Sequence, residues 1–294
     1  MRIACCLFLL VFANLHADLQ VDEVVLKVDF LESMDRATDP QQSRHSLEDN
    51  ATGRRYLSLY ERNMPSCLKR NPGNGIPKII HQIWLGSPLP EKFKHLQASW
   101  KEHHPTWTYI LWTDADVKKM NMRNRAQYEQ AQNYAEKSDI LRYELLQEWG
   151  GVYVDIDFEC FRPLDILVEN FEFFSGVPAW VTVSLNNGLI GTIPNHPIIN
   201  ACVEDLAGNY AAQTEVTDGN FGIFDRSGPY YFTRCFMKAS SDESDGVIIF
   251  PATFLYPFPP VLNRSQRTHD FAVKWLTPES FAIHYWMASW LQSW

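Results

Sequence analysis

Two aspartates separated by one residue follow a short apolar run that predicts a buried strand. The run is Val152-Tyr153-Val154, and it leads directly into Asp155 and Asp157. In an extended chain, side chains two positions apart point to the same side, so both carboxylates can converge on one point. Two such acids repel each other unless a donor or a cation lies between them, and Mg²⁺ or Mn²⁺ completed by substrate phosphates is the usual solution. The alternative is a solvated turn with two ordinary acids.

The chain contains a second acid pair with the same spacing in a different context. Asp114 and Asp116 precede Lys118 and Lys119, after a predicted strand. Capping of the following helix, with Asp114 as the cap, explains both acids without a metal. The spacing alone therefore predicts nothing, and the position of Asp155 and Asp157 after a hydrophobic strand is what favours a metal site.

Asp139 and Arg142 stand three residues apart in a predicted helix over residues 138–149. This spacing places both side chains on one face of the helix. The helix leads into the acidic strand through Gly150-Gly151, a turn that lets the backbone approach closely. An acid that accepts sugar hydroxyls and an arginine that meets phosphate oxygens suit this location, and a surface ion pair is the alternative.

The elements that position these residues alternate between strand and helix. Strands are predicted at 78–84, 108–112 and 152–154, and helices at 93–103 and 138–149. This alternation predicts an α/β fold with a mostly parallel central sheet and helices on its faces. Ligands bind such sheets at the carboxyl ends of the strands, where the acid pair stands.

A further strand is predicted near Val181-Thr182-Val183, followed by a turn at Asn186-Asn187-Gly188. Asn-Gly pairs are typical of turns, which is the reason for this assignment.

Four cysteines lie beyond the amino terminus: Cys67, Cys160, Cys202 and Cys235. None forms a C-x-x-C pattern, which argues against structural zinc, and the three ways of pairing them in an exported protein stay open.

Composition narrows the class of protein. The 35 acidic and 26 basic side chains give a net charge of −9, so nucleic acid is not an expected partner. Hydrophobic residues make up 46% and charged residues 21%, which argues against disorder and coiled coil. Aromatic residues make up 14%; a rich aromatic core is the ordinary explanation, and stacking on sugars or nucleotides is the functional one.

Residues 1–17 have the layout of a secretory signal. Arg2 precedes an apolar run over residues 3–13, and the segment ends at Ala17. A short uncleaved membrane anchor is the alternative, so the sequence predicts the secretory route, either exported or Golgi-lumen-like, or membrane association through this segment. Residues 18–75 are predicted to form a variable stem, helical or partly disordered. Asn50-Ala51-Thr52 and Asn263-Arg264-Ser265 fit the N-glycosylation pattern, which arises often by chance.

From residue 76 onward the motifs, taken in order, resemble a known family. They are Ile79-Ile80-His81-Gln82-Ile83-Trp84, Trp107-Thr108-Tyr109-Ile110-Leu111-Trp112-Thr113-Asp114, Ser138-Asp139-x-x-Arg142-Tyr143 and Gly150-Gly151-Val152-Tyr153-Val154-Asp155-Ile156-Asp157. This set resembles the D-x-D sugar-binding glycosyltransferases of family 32, which include initiating mannosyltransferases and α1,4-glycosyltransferases. The clostridial glucosylating toxins are more distantly similar. The resemblance implies a GT-A-type, Rossmann-like catalytic domain over residues 76–294.

The resemblance also implies roles for individual residues. Asp155 and Asp157 match the acids that hold the metal and the diphosphate, Asp139 and Arg142 match the pair that holds the donor sugar, and Tyr153 matches the aromatic residue of the same motif. Trp84 matches a tryptophan that stacks on the nucleotide base. Asn187 matches an asparagine that faces the reacting sugar, and His284 and Trp290 match a closing element over the diphosphate. Core packing is the alternative for Trp84, Tyr153 and the carboxyl-terminal aromatic residues.

The implied function is transfer of a hexose or N-acetylhexosamine from a UDP- or GDP-sugar, assisted by Mn²⁺ or Mg²⁺, with retention of anomeric configuration. The acceptor is a glycan, a lipid or a protein. Two other hypotheses stay open: an exported sugar- or metal-binding protein without turnover, and a hydrolase that uses water as the acceptor. The sequence contains no G-x-S-x-G, H-E-x-x-H or phosphate-binding glycine loop, which argues against those chemistries.

Overall fold

A computed structural model describes residues 27–38, 47–64, 75–179, 182–212, 222–259 and 264–287. The predicted leader over residues 1–17 and the predicted site residue Trp290 lie outside these ranges. In the described part of the chain, no helix has the length and apolar composition needed to cross a membrane.

Six of the described strands form a central sheet. They are β1 (Ile79–Ile83), β2 (Thr108–Trp112), β3 (Gly151–Val154), β5 (Phe173–Gly176), β6 (Asn186–Thr192) and β7 (Val247–Phe250), in the order β2-β1-β3-β6-β5-β7. The β1–β2, β1–β3 and β5–β7 pairs are parallel, whereas β6 runs antiparallel to both of its neighbours. The predicted α/β fold with a mostly parallel sheet is therefore confirmed.

Helices cover the sheet and connect its strands. The two helices predicted around the site are observed as α3 (Lys94–His103), which follows a short 3-10 turn at Glu91–Phe93, and α6 (Tyr134–Trp149). The other described helices are α1 (Phe30–Arg36), α2 (Ala51–Asn63), α4 (Asp114–Val117), α5 (Arg125–Gln130), α7 (Asp165–Asn170), α8 (Pro197–Glu204), α9 (Leu206–Ala212), α10 (Gly222–Arg226), α11 (Pro229–Ala239), α12 (Ala252–Leu255) and α13 (His269–Ala272).

The strand and turn predicted around residues 181–188 are wrong in the described residues. Residues 182–185 are not in a strand, and Asn186, Asn187 and Gly188 begin β6 instead of forming a turn. The glycines of β6 occupy places where a side chain does not fit. A Cβ on Gly191 would lie 2.1 Å from the Phe174 ring, and one on Gly188 would lie 2.7 Å from Oδ2 of Asp155. Tertiary crowding thus selects residues that look like a turn in sequence.

A second, two-stranded sheet brings the carboxyl-terminal part of the chain to the acid pair. It consists of β4 (Phe158–Cys160) and β8 (Ala282–His284), which run antiparallel. In this register Phe158 is paired with His284, and the two rings stack with centroids 4.3 Å apart. Because β4 begins one residue after Asp157, the pairing places His284 beside that carboxylate.

Helices α1 and α2 pack against the main sheet and its connections. Asn63 at the end of α2 donates to the carbonyls of Ser244 and Val247, at 3.0 and 2.9 Å. The hydroxyl of Ser33 in α1 lies 2.5 Å from that of Thr253. These contacts attach α1 and α2 to the β7 side of the sheet; the boundary predicted at residue 75 stays a prediction.

Candidate active site

The turn before β3 fixes where the acid pair begins. Gly150 and Gly151 have φ of +62° and +93°, conformations that favour glycine. The buried imidazole of His81 lies across this turn, 2.9 Å from the Gly150 carbonyl through Nε2, and its Nδ1 accepts from Trp112 Nε1 at 3.1 Å. Burial lowers the pKa of His81 to about 4, so this histidine is neutral and its two nitrogens are both paired.

Asp155 is surrounded by groups that bind one of its two oxygens. Its Oδ1 accepts from the Tyr153 hydroxyl at 2.7 Å and lies 3.2 Å from the Arg142 guanidinium. Its Oδ2 faces Gly188. Burial raises the pKa of Asp155 above its usual value, and the positive charge of Arg142 opposes this shift. The carboxylate is thus held in place by one oxygen.

Asp157 is held by the carboxyl-terminal part of the chain. Its Oδ1 lies 3.0 Å from Nε2 of His284, and its Oδ2 accepts the backbone N–H of Met287 at 2.7 Å. Burial acts to raise the pKa of Asp157, but His284 and the Met287 N–H together outweigh burial, and the pKa lies below its usual value. Asp157 is therefore ionised at neutral pH and firmly oriented.

The three side chains fit a divalent cation. One ligand atom from each of Asp155, Asp157 and His284 lies within 4.8 Å of the others. The 3.0 Å contact between His284 Nε2 and Asp157 Oδ1 is a hydrogen bond, and neighbouring ligands around Mg²⁺ have a similar spacing of about 3.0 Å. Nδ1 of His284 is buried without a hydrogen bond among the described residues, unlike the paired nitrogens of His81. A ligand set of two carboxylates and one imidazole suits Mn²⁺ or Mg²⁺.

A second cluster lies beside the candidate metal ligands and includes two residues of helix α6. Asp139 Oδ1 lies 3.0 Å from the Arg142 guanidinium and accepts Nδ2 of Asn187 at 2.8 Å, and Oδ2 accepts the Ser227 hydroxyl at 3.1 Å. Arg142 also donates to the Asn187 carbonyl at 2.5 Å, and its guanidinium lies 4.3 Å from the Tyr153 ring centroid. Burial raises the pKa of Asp139 to about 6, although Arg142 acts to lower it.

The structure thus brings together seven of the predicted site residues: Asp139, Arg142, Tyr153, Asp155, Asp157, Asn187 and His284. Trp84 directly follows β1, the strand that pairs with β3. Among the described residues, its ring contacts Phe93 at 5.1 Å and its indole N–H donates to Ser87 at 3.1 Å. Its side chain is half-buried.

Sequence reasoning missed three participants. Ser227 binds Asp139, the Met287 N–H binds Asp157, and Gly188 leaves room for Asp155. A backbone N–H carries no sequence signal. Gly188 could have been found, because a glycine after two asparagines next to a predicted site admits a close approach as well as a turn.

The other acid pair is a helix cap, as expected, but Thr113 is the cap and Asp114 the first residue of α4. Asp116 Oδ2 accepts the backbone N–H and the hydroxyl of Thr113 at 3.0 and 2.7 Å. Asp114 instead accepts the backbone N–H of Gly86 at 2.7 Å. Both acids are satisfied by donors of the chain itself.

Comparison with known proteins identifies the class of this site. Residues 90–174 match the family model described as the glycosyltransferase sugar-binding region containing the DXD motif. The matched region contains Asp139, Arg142, Asp155 and Asp157. The chain carries this DXD sugar-binding region, and the resemblance predicted from its motifs is confirmed.

The relatives are named glycosyltransferases. Inositol phosphoceramide mannosyltransferase 3 of Schizosaccharomyces pombe is 33% identical over 144 residues, which are 46% of this chain and 38% of that protein. Alpha-1,4-N-acetylglucosaminyltransferase of Homo sapiens is 29% identical over 160 residues, 52% of this chain and 42% of that protein. The chain spans between 38% and 56% of the length of the three Schizosaccharomyces pombe mannosyltransferases that it matches.

Two solved structures are also similar. PaToxG glycosyltransferase aligns with a TM-score of 0.48 and 21% identity, over 63% of this chain and 79% of that one. The UDP-bound glycosyltransferase domain from the YGT toxin aligns with a TM-score of 0.46 and 12% identity, over 60% and 80% of the two chains.

Proposed function

We propose that this chain is a metal-dependent glycosyltransferase that takes a sugar from a nucleotide-diphosphate donor. The observation that carries the proposal is the convergence of Asp155, Asp157 and His284 at the carboxyl end of β3. This arrangement lies next to the Asp139–Arg142 pair, within reach of one bound donor. The match of residues 90–174 to the DXD sugar-binding region supports the same conclusion.

In this proposal one group of residues binds the metal and the diphosphate, and a second group binds the sugar. A sugar leaves a diphosphate readily only when the developing negative charge is neutralised, which is the chemistry that a bound Mn²⁺ or Mg²⁺ supplies. Asp155, Asp157 and His284 would hold the ion, and Arg142 adds a fixed positive charge beside it. Tyr153 holds the Asp155 carboxylate through the 2.7 Å hydrogen bond.

Asp139 and Asn187 form the sugar-facing side of the proposed site. The 2.8 Å hydrogen bond from the Asn187 amide orients the Asp139 carboxylate. When it is ionised, this carboxylate would accept hydrogen bonds from hydroxyl groups of the donor sugar. Asn187 keeps its amide next to the reacting sugar. Trp84, with a half-exposed indole, is proposed to stack on the nucleotide base, and Trp290 to close over the diphosphate.

The names of the relatives guide the proposals for donor and acceptor. Mannosyl- and N-acetylglucosaminyltransferases among them support a GDP- or UDP-linked hexose or N-acetylhexosamine as donor. The inositol phosphoceramide mannosyltransferases support a lipid acceptor ahead of a glycan or a protein. Retention of configuration rests on the family resemblance and is checked by the anomer of the product. The secretory route, with residues 1–17 as signal or anchor, supplies nucleotide sugars in a Golgi-type lumen.

The test is nucleotide release by the purified full chain, freed of metal, against a panel of UDP- and GDP-sugars with and without Mn²⁺. We expect release from one donor, dependent on Mn²⁺, and its loss in Asp157→Asn. Asp116→Asn is the matched control, because it changes the capping pair in the same way, and it retains activity. If no donor of the panel gives nucleotide release, and Mn²⁺ plus UDP or GDP does not raise the melting temperature, the proposal is contradicted and a binding protein is favoured. Free sugar formed at the same rate with and without acceptors indicates a hydrolase.

A further inference from the structure

Asn50 begins a tripeptide of the N-glycosylation pattern at the start of helix α2. The tripeptide is Asn50-Ala51-Thr52, and its middle residue is not the proline that would exclude modification. We propose that Asn50 is a glycosylation site, modified on Nδ2 by a lipid-diphosphate oligosaccharide in the lumen of the secretory route. The proposal rests on the proposed secretory route and is independent of the proposed transfer reaction.

The local structure uses one end of the Asn50 amide and leaves the other available. Asn50 caps α2, and its Oδ1 accepts the backbone N–H of Thr52 at 2.8 Å. Asn50 and Ala51 are exposed. Among the residues that the structure describes, none forms a hydrogen bond with Nδ2. The atom that would carry the glycan is therefore open, while the oxygen contributes to the fold.

Glycosylation leaves this cap intact. The Nδ2 atom attacks the anomeric carbon of the donor oligosaccharide, the bond from that carbon to the diphosphate oxygen breaks, and the lipid diphosphate leaves. One of the two Nδ2 protons passes to a base of the modifying enzyme. The product is a secondary amide whose Oδ1 keeps its lone pairs, so the acceptor for the Thr52 N–H remains. The folded chain therefore tolerates the modified residue.

Helix α2 packs on the β7 side of the main sheet, with its carboxyl end at the start of β7. The inner face of the helix is buried through Tyr56 and Leu59, and Arg62 on its outer side pairs with Asp245 at 3.0 Å, in the loop before β7. In the sheet order, β6 and β5 separate β7 from β3, which carries the acid pair. A glycan on Asn50 thus covers the β7 side of the molecule.

The test expresses the full chain in eukaryotic secretory cells, with Asn263→Gln in the background to remove the second pattern. An amidase that releases N-linked glycans converts a modified asparagine to aspartate, which mass spectrometry of the Asn50 peptide detects. Thr52→Ala destroys the pattern but keeps the Asn50 cap, and Thr52→Ser keeps both. We expect conversion in the parent and in Thr52→Ser, together with a glycan-sized mobility shift, and neither in Thr52→Ala.

Two results overturn the proposal: an unmodified Asn50 in chain recovered from the lumen or medium, and retention of the chain in the cytosol. Equal conversion in Thr52→Ala also contradicts it, because the signal then does not depend on the pattern. Asp157→Asn separates this outcome from that of the proposed reaction. It is expected to lose nucleotide release and to keep the glycan, so either proposal can fail alone.

Discussion

The chain contains two acid pairs of identical spacing, and they end in opposite environments. Asp114 and Asp116 bind backbone and hydroxyl donors within their own loop and helix. Asp155 and Asp157 instead meet a histidine from a strand that lies more than 120 residues further along the chain. The acid pair becomes a candidate metal site only where distant elements converge on it.

The ionisation of the two regions differs in the same way. The Thr113 hydroxyl and N–H lower the pKa of Asp116, as expected for a capping acid. Burial raises the pKa of Asp155 and of Asp139. Asp155 and Asp139 therefore gain from a cation or a hydrogen-bond donor that offsets the cost of burying their charge, whereas the donors of Thr113 already stabilise the charge of Asp116.

The largest expected effect separates the first acid of each pair. We expect Asp155→Asn to lower kcat/KM for nucleotide release about a thousandfold, because the proposed site then loses a carboxylate ligand of the ion that would neutralise the diphosphate. Asp114→Asn is expected to stay within about twofold of the parent, since it keeps an acceptor for the Gly86 N–H. Steady-state kinetics with saturating Mn²⁺ decide this, and equal losses in both variants would remove the distinction between the pairs.

The pH dependence of stability is the next largest effect. The folded pKa of Asp139, about 6, exceeds its usual 3.8. Between these values the folded protein binds a proton that the unfolded chain has released, so the unfolding free energy falls as the pH rises, by up to about 3 kcal/mol. Asp116, with a lowered pKa, has the opposite sign: its contribution is present above the unfolded pKa and lost as the pH falls through the folded pKa.

This prediction is checked by urea denaturation of the metal-free protein from about pH 2.5 to about pH 7, at intervals of about half a unit. The difference between the parent and Asp139→Asn should change across this window, and the difference between the parent and Asp116→Asn should change in the other direction at its acidic end. If the unfolding free energies of the parent and Asp139→Asn differ by a constant amount across this pH range, Asp139 has its usual pKa and the prediction is wrong.

Gly188→Ala tests whether the space behind Asp155 matters. The added Cβ would lie 2.7 Å from Oδ2 of Asp155, so the carboxylate must shift, and we expect about a hundredfold loss in kcat/KM and at least tenfold weaker Mn²⁺ binding. Gly208→Ala is the control, because its Cβ meets nothing within 4 Å. Calorimetric Mn²⁺ titration of both variants measures the effect, and unchanged Mn²⁺ affinity in Gly188→Ala would contradict it.

Tyr153→Phe removes one hydrogen bond to Asp155 and leaves the ring in place. We expect a loss of about tenfold in kcat/KM, because the Asp155 carboxylate loses one of the two groups that orient Oδ1. The KM for Mn²⁺ should rise while the melting temperature changes little. A variant that is merely destabilised, with normal Mn²⁺ dependence, would assign Tyr153 to core packing instead.

The smallest effect on activity is expected in the capping pair. Thr113→Ala removes the cap of α4 and should lower the unfolding free energy by about 1 kcal/mol, with nucleotide release unchanged. Chemical denaturation and the release assay on the same sample test both halves of the prediction. A large loss of activity would mean that the capping pair takes part in the reaction.

Much of the sheet follows from local sequence, and one strand does not. The apolar runs at β1, β2 and β3 are observed within one residue of their predicted bounds. The predicted helices are also observed as α3 and α6, although α6 begins at Tyr134, four residues earlier than predicted. Strand β6 contains two asparagines and two glycines in seven residues, because the side chains of Asp155 and Phe174 fill the space around it. That crowding comes from other parts of the chain, so no local pattern reports it.

The residues of the candidate site likewise fall into those that local sequence predicts and those that depend on distant parts of the chain. Asp155, Asp157, Asp139 and Arg142 are found from spacing on two adjacent elements, because period and strand position determine which way their side chains point. His284 and Asn187 needed the family resemblance, since more than a hundred residues separate His284 from the acid that it contacts. Ser227 and the Met287 N–H were missed because the contact depends entirely on tertiary structure.

Strand β6 also determines when the site can form during folding. Strands β1 to β3 fall within residues 79–154 and strands β5 to β7 within residues 173–250, and only the pairing of β3 with β6 joins these two groups in the sheet. The backbone bond from Asp155 to Gly188 lies on this seam. A chain that has formed only its first group of strands has the acid pair but lacks Gly188 and His284 beside it, so the proposed metal site is complete only after β3 pairs with β6 and β4 with β8.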